Sequence, residues 1–320
     1  MDTASHIVIG GTLAGLAQLD PALSGVPVAA VAAVTILSSN APDLDGVFRI
    51  GGKEQYIRHH RGISHCVPAW LAWPTLVAAA SAPFMADAGA WAHIWLWSFA
   101  GVFIHVLLDM LNTYGVQCFR PFTKRWVHLD ILCIFEPAIF ILHAAGLALW
   151  LSGIWNPDVL FAWIYGLTML YIAVRASWHR MLMRMMRSAY PDADVVHVIP
   201  TVHPARWMFV VETESRFYTG AIRGRQWTQQ DAYDKKREDA VVRATMGVDG
   251  VRAFLSFAQR VHVTYTEKQD GQGYEVRWSD VRFWYNSRLA FGVDVELDRD
   301  MKVTRQSLGW RKKKWEPPYM

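Results

Sequence analysis

The sequence predicts a mainly α polytopic membrane domain followed by a cytoplasmic, mainly antiparallel β (α+β) domain. Residues 1 to about 175 are apolar and poor in charge, whereas residues 176–320 hold most of the Lys, Arg, Asp and Glu. The net charge of +4 therefore averages two unlike halves. In the first half, apolar runs approach the roughly 18–20 residues that a helix needs to cross a bilayer. In the second half, Val, Thr, Tyr, Phe and Trp alternate with polar residues, the period of half-buried strands. The expected division is 1–190 for the membrane domain and 191–320 for the β-rich domain.

Residues 6–19 are small and apolar, with Gly10, Gly11 and Gly15. Asp20-Pro21 breaks the run, because Pro disfavours a helical residue before it. Residues 26–41 form a second run. Both are shorter than the roughly 20 residues of a full span, so a pair of buried helices or a shallow hairpin is expected. Residues 46–65 are polar and basic. Four runs of spanning length follow, over 66–85, 91–111, 131–151 and 159–176. Trp91, Trp95, Trp97, Trp150, Trp155 and Trp163 stand towards their ends, where an aromatic belt would lie.

Loop charge sets the expected orientation. Arg120, Lys124 and Arg125 separate the second and third runs, and Arg175, Arg180, Arg184 and Arg187 follow the fourth. Residues 86–90 and 152–158 carry no Lys or Arg. By the positive-inside rule the basic side is cytoplasmic, which gives a multi-pass protein with a cytoplasmic C-terminal domain. In that domain strands are expected over 195–222, 261–266, 274–278 and 281–297, a turn over 269–273, and helices over 231–243 and 250–260. The basic, Trp-containing stretch at 311–315 suits either anionic lipid headgroups or a solvated tail.

Composition excludes several classes. No basic stripe interleaved with aromatics runs through the apolar half, so no nucleic-acid partner is expected. Cys66, Cys118 and Cys133 are odd in number and lack CxxC spacing, which argues against a disulfide framework or a cysteine-rich zinc site. No positive region precedes an apolar core near Met1, so no cleaved signal is expected.

The chemistry centres on His105 and Asp109. Four residues apart on a helix, they share one face, and ionisable residues inside a membrane segment mark function. In the expected topology His6, Asp43, Asp45, His60, His65, His105 and Asp109 all fall at cytoplasmic ends of apolar segments. Neutral imidazoles and carboxylates are the donors that zinc and similar divalent ions take, so His6, Asp43, His60, His65, His105 and Asp109 are the expected metal ligands. One to three ions are expected. Arg61 is placed to hold a phosphate or a ligating carboxylate through its planar fork, and Gly62 lets the backbone bend between His60 and His65. Asn112 and Tyr114 are expected to orient ligands. Asp45 and Glu136 complete the candidate catalytic set, with Glu136 a partner for the site or for Arg125. Such a centre makes a nucleophile from water at neutral pH and suits phosphoester hydrolysis.

His6, Ala41-Pro42-Asp43-Leu44-Asp45, His59-His60-Arg61-Gly62-Ile63-Ser64-His65 and His105-x-x-x-Asp109-x-x-Asn112-Thr113-Tyr114-Gly115 together resemble the bacterial membrane-bound metal-dependent hydrolase family. That family is also described as inner-membrane hydrolases that bind the SOS repressor LexA. The likeness covers residues 1 to about 190. More distantly, the His-x-x-x-Asp element and the motifs before it are similar to those of zinc-dependent phospholipase C and the S1/P1 nucleases. The resemblance implies zinc, the bacterial inner membrane, and a phosphoester bond without naming the substrate; the expected depth of the site, at the headgroups, makes a phospholipid one candidate. The chain departs from the family at Ser64 and Cys66, where Thr and Ser are more usual. The β-rich domain lies outside the likeness and is an expected surface for a protein partner.

Other histidines read as structural. His93 and His143 are expected to be packed and hydrogen-bonded, His59 to be solvated, and His179, His197, His203 and His262 lack partner spacing. Glu212 and Glu214 read as a solvated strand face. The alternative to an enzyme is a membrane-anchored regulatory or binding module with a structural metal.

Overall fold

The structure, a computed structural model, describes residues 1–84, 88–235, 239–269 and 271–311. The chain forms two compact units: Met1–Gly46 with His60–Trp178, and Val47–His59 with His179–Met320. The architecture is a helical N-terminal region followed by antiparallel sheets with short helices, a mixed α+β chain.

The helices are α1 (Thr3–Leu16), α2 (Val28–Asn40), α3 (Lys53–His59), α4 (Val67–Ser81), α5 (Trp91–Met110), α6 (Pro137–Leu151) and α7 (Pro157–Ala189). α1 opens with Asp2, whose side chain accepts from the Ser5 N–H, satisfying a donor that has no intrahelical partner. α1 and α2 form the hairpin foreseen for residues 6–41. Asp20 fixes its tip, accepting from Ala22 N at 3.1 Å and from Trp97 Nε1 at 2.9 Å, with His93 Nδ1 at 2.7 Å. Small residues let the helices close: a Cβ on Gly10 would stand 2.8 Å from the Ile36 Cα, and Ser38 Oγ meets Ser98 Oγ at 2.6 Å between α2 and α5. Close backbone approach of this kind, with hydroxyls paired across helices, is how helices associate where lipid removes the usual hydrophobic drive.

Two helices, α5 and α7, are long and apolar enough to cross a membrane; a third span results if the pair Lys53–His65 and Val67–Ser81, bent by 76°, counts as one. This differs from the four expected spans. α4 starts only at Val67, after an extended Cys66, and reaches 15 residues. The expected third run loses its first turns because Leu111 O accepts the N–H groups of both Ile131 and Leu132. That ties 131–132 into a loop, and α6 begins at Pro137 with 15 residues. Leu71, Leu96, Ile141, Trp163 and Leu170 are exposed on α4 to α7. So much large apolar surface is unusual on a water-soluble fold and suits lipid contact.

In the second unit, β1 (Val195–Pro200), β2 (Arg206–Glu212), β3 (Arg216–Arg223) and β4 (Gln226–Asp234) form an antiparallel meander. After α8 (Ala240–Thr245) and α9 (Asp249–Phe257) come β5 (Val261–Glu267), β6 (Tyr274–Asp280), β7 (Trp284–Tyr285), β8 (Arg288–Leu289), β9 (Phe291–Leu297) and β10 (Val303–Trp310). The second sheet has the order β10-β9-β6-β5, and β7 and β8 form a small hairpin. Val276, Trp278, Val293, Val295, Leu297 and Leu308 are buried, all on one face by the strand alternation. Helix was expected over 231–243, yet 231–234 belong to β4. This strand is rich in polar residues and mostly exposed, an edge strand without the alternation that would reveal it. β10 escaped notice for the same reason. Of the expected basic tail only Arg311 is described; residues 312–315 lie outside the described residues, as do Ala86 and Asp87 of the loop 86–90 and Asp270 of the turn.

Packing at Gly10 is open to a direct check. Gly10→Ala should destabilise the protein by about 1–3 kcal/mol through overpacking, read as a lower melting temperature in detergent. Gly166→Ala, where an added Cβ meets nothing within 4 Å, should leave melting unchanged or raise it slightly.

Candidate metal centre

His105 and Asp109 occupy the last turns of α5, and both are fully buried. The helix stops because Asn112 folds back. Its Oδ1 accepts from Tyr114 N at 2.9 Å and Gly115 N at 3.2 Å, a side-chain alternative to the helical ladder. Gly115 has φ 75°, and a Cβ there would lie 2.6 Å from the Val127 carbonyl oxygen, so the turn requires glycine.

Asp43 and Asp45 lie in the 3₁₀ segment Ala41–Gly51 that follows α2. His65 ends the short turn Ile63–His65. The bend expected at Gly62 (φ −101°, ψ −100°) is shared by Arg61, whose φ is 60°. This left-handed conformation is uncommon for a bulky residue. It is held on both sides, by Arg61 N donating to Asp45 Oδ2 at 2.8 Å and Gln117 N donating to Arg61 O at 2.9 Å. Trp70 Nε1 and Trp73 Nε1 donate to the carbonyls of His65 and Ser64 at 2.8 and 3.0 Å, pinning the His65 backbone.

Asp43, His65, His105 and Asp109 each aim one ligand atom into a common space, all within 4.8 Å of one another. His105 Nε2 lies 3.2 Å from His65 Nε2. Asp43 Oδ1 lies 3.8 Å from His65 Nε2 and 3.6 Å from His105 Nε2. Asp109 Oδ2 lies 3.4 and 3.6 Å from the same two nitrogens. Four ligands arranged tetrahedrally around zinc at about 2.0–2.1 Å stand about 3.3 Å apart. The observed separations, from 3.2 to 3.8 Å, lie at that edge or somewhat beyond it.

Proton bookkeeping shows what the cluster lacks. His105 Nδ1 is 2.7 Å from Ser39 O. A carbonyl only accepts, so Nδ1 carries the hydrogen and Nε2 presents a lone pair. Ser64 Oγ donates its single hydrogen to Asp45 Oδ2 and lies 2.8 Å from His65 Nδ1. The hydroxyl must therefore accept from Nδ1–H, and His65 Nε2 also presents a lone pair. Two imidazole acceptors thus face each other beside two carboxylate oxygens. Asp43 Oδ1 and Asp109 Oδ2 are buried without a hydrogen bond, as is His6 Nε2. Such orphaned groups are costly, and a divalent cation among the four ligand atoms satisfies Asp43 Oδ1, Asp109 Oδ2 and the two Nε2 lone pairs. The residues fit a metal.

The surroundings orient these ligands. Asp109 Oδ1, the oxygen turned away from His65 and His105, receives Arg61 Nη2 at 3.1 Å and Asn112 Nδ2 at 3.4 Å, and the Met1 amine pairs with it. His6 stacks on His105 with ring centroids 3.8 Å apart, and its Nε2 is 3.6 Å from Asp109 Oδ1. Asp45 takes His60 Nδ1 at 2.6 Å together with Arg61 N and Ser64 Oγ. Burial alone would raise the Asp45 carboxyl, but the hydrogen bond and charge of His60, with His65 and Ser64, hold it below the ordinary carboxylate range. Asp43, Asp45 and His60 form a second, overlapping group with metal-ligand spacing.

Of the residues singled out in the sequence, Asp43, His65, His105 and Asp109 come together directly. His6, Arg61 and Asn112 touch them; Asp45 is linked to His65 through the Ser64 hydroxyl, and His60 in turn to Asp45. Arg61 takes the second of its two expected roles, holding a ligating carboxylate. Tyr114 lies against the Arg61 guanidinium, 5.8 Å from ring centroid to carbon. Glu136 is not brought to the cluster. Its carboxylate accepts from Tyr171 OH at 2.6 Å and from Cys133 N at 3.2 Å, with Arg175 in electrostatic contact; these partners, not Arg125 or the ligands, satisfy its charge. Ser39 and Ser64 were missed as participants. A backbone carbonyl leaves no mark in sequence, and the marks of Ser64 were its place beside His65 and the hydroxyl it shares with the Thr more usual at that position. His143 is buried between Thr12 Oγ1 at 2.7 Å and Thr168 Oγ1 at 2.9 Å, a packed residue as expected.

Residues 1–182 match the model of a family described as YdjM inner membrane protein, and residues 240–316 match that of the YfhP C-terminal alpha/beta plait domain. The chain is 33% identical over 315 residues to the protein named Uncharacterized protein YfhP of Bacillus subtilis (strain 168), a match covering 97% of this chain and 95% of that one. No solved structure matches.

The cluster predicts a tightly held divalent ion. His65→Ala and His105→Ala should abolish metal retention in elemental analysis of the purified protein. Asp45→Asn, which disturbs the Ser64 hydroxyl that orients His65, should weaken affinity by roughly 10- to 100-fold. His143→Ala should keep the metal.

Proposed function

The chain belongs to the YdjM inner membrane protein family, and on that premise we propose that it is a multi-pass, membrane-bound, metal-dependent hydrolase whose substrate is a phosphoester. The observation that carries this reading is the set of four inward-facing acceptor atoms on Asp43, His65, His105 and Asp109 with no proton among them to share. Two imidazoles and two carboxylates form a hard, mixed N/O donor set of the kind zinc occupies. When bound, the ion supplies Lewis acidity and a nucleophile from water at neutral pH.

The chain's own side chains perform the rest. Ser39 O and the Ser64–Asp45 pair hold the two imidazoles in the tautomer that presents Nε2, and hydrogen bonds of this kind raise ligand basicity. Arg61 and Asn112 hold the Asp109 carboxylate by one oxygen and leave the other turned to the centre. Asp45 is ionised and engaged by three donors, so its part is to position His65. Glu136, bound to Tyr171, lies outside this machinery. Asp43 is the one of the four ligands with appreciable exposure, 17% of its side chain, which marks the side from which a substrate enters. The basic loops favour a cytoplasmic face for this opening by the positive-inside rule. A centre at headgroup depth makes a phospholipid an accessible substrate, and the β-rich domain is then free to bind a protein partner.

A second reading rests on burial. His65, His105 and Asp109 are fully buried, and closed sites are typical of structural metals. The protein would then be a membrane-anchored regulatory module stabilised by its ion.

Activity separates the two. Protein purified in detergent should hydrolyse bis-p-nitrophenyl phosphate or phospholipid in vesicles. His105→Ala should lower turnover by roughly a hundredfold or more, and Arg61→Lys, which keeps charge but not the planar fork, by roughly tenfold. Metal-loaded protein without turnover on any phosphoester, melting at lower temperature once the ion is chelated, would favour the structural reading.

A further inference from the structure

The second unit holds a cavity of about 1000 Å³ that the metal centre does not use. Its origin is the alternation of β5, β6, β9 and β10. Residues 276, 278, 293, 295, 297 and 308 point to the buried face. The opposite face therefore carries His262, Thr264, Arg277, Ser279, Asp294 and Ser307. On a simple two-layer fold this polar face would meet water. Here it is walled by Lys53 of α3, by Tyr233 of β4, by the β7–β8 hairpin, and by Trp310 and Arg311.

The hairpin tip is itself unusual. Asn286 and Ser287 both have positive φ, 45° and 58°, the pattern of a tight primed turn. Ser287 gains nothing from the local tolerance that Asn has for this conformation. Strain of this kind is commonly kept where it positions a ligand-facing group, and the turn presents Asn286, Ser287 and Arg288 to the cavity.

Charge decides the ligand class. Lys53, Arg277, Arg288 and Arg311 line the cavity against a single acid, Asp294. Arg311 pairs with Asp294 at 2.8 Å, and Arg277 with Glu275 at 2.8 Å. Lys53 and Arg288 have no ion pair among the described residues. Two uncompensated cations stand over a floor of hydroxyls, with Tyr233, Tyr285 and Trp310 on the walls. We infer that this cavity binds a small phosphate-bearing anion, with Lys53 and Arg288 as the charge contacts, Ser and Thr hydroxyls as neutral donors, and aromatic walls for a ring attached to the phosphate. The size lies in the range of small-molecule sites. A phosphate-sensing domain attached to a membrane unit provides a means of regulation independent of the metal centre.

The test uses full-length protein in detergent with EDTA present, so that the metal centre contributes no phosphate binding. Isothermal titration with pyrophosphate, AMP and adenosine reads the site. Saturable binding of pyrophosphate or AMP near one per chain, with adenosine at least tenfold weaker, is expected. Tighter binding of AMP than of pyrophosphate assigns the aromatic walls a role; equal binding makes the phosphate alone the recognised group. Lys53→Ala with Arg288→Ala should weaken binding at least tenfold, with melting unchanged because both side chains are exposed. His105→Ala should bind as the parent does. Absence of binding by both phosphate probes, adenosine binding as tightly as AMP, or binding indifferent to the double substitution would overturn the inference.

Discussion

Four acceptor atoms meet in the apolar half of this chain without a proton to share. Each imidazole has spent its hydrogen outward, His105 on the Ser39 carbonyl and His65 on the Ser64 hydroxyl. The carboxylate oxygens opposite them carry no hydrogen bond. Burying ionised carboxylates costs several kcal/mol each even after relaxation, and lone pairs pressed to within 3.2 Å of one another add repulsion. Arg61 compensates one oxygen of Asp109 and leaves the other. A cation at the centre is the compensation the arrangement calls for, and the rest of the helical unit is arranged so that the four atoms meet.

That dependence explains features that would otherwise be liabilities. Arg61 is a bulky residue with positive φ, buried next to fully buried Asp109. Its backbone conformation sends its N–H to Asp45 while its side chain reaches Asp109, so one residue ties two ligand-bearing segments together. The helices of the hairpin α1–α2, at 14 and 13 residues, are shorter than the roughly 20 residues of a full span. The hairpin nonetheless delivers His6 at one end and Asp43 and Asp45 at the other to the foot of α5. The small residues at Gly10, Gly101 and Ser38 permit that close approach.

The site was legible in the sequence because its chemistry is local in type even though its residues are scattered. The i, i+4 spacing of His105 and Asp109 and the placement of Asp43 and His65 at the ends of apolar runs singled out four residues whose donor atoms lie within 4.8 Å of one another. Glu136 misled because a carboxylate in an apolar run was matched to the nearest polar cluster, whereas its partners, Tyr171 and Arg175, come from a helix far along the chain. The α+β order was legible from strand alternation. The number of spanning helices was not, because hydropathy measures apolar length and is blind to where the backbone stops being helical. Residues 131–136 are apolar enough to count and are held as a loop. β4 and β10 were invisible for the complementary reason, being polar edge strands. The cavity of the second unit had no signal at all: its lining is assembled from seven separate strands, a hairpin tip and α3, and His262 stood out by no spacing in the sequence.

X-ray absorption at the metal edge of the purified, unsubstituted protein tests the central claim most directly. Zinc in a shell of about four nitrogen and oxygen atoms near 2.0–2.1 Å, with the outer-shell scattering of two imidazoles that disappears in His65→Ala and His105→Ala, is the predicted result. Protein that carries no ion after purification and reconstitution, or an ion whose spectrum shows no imidazole, would contradict it.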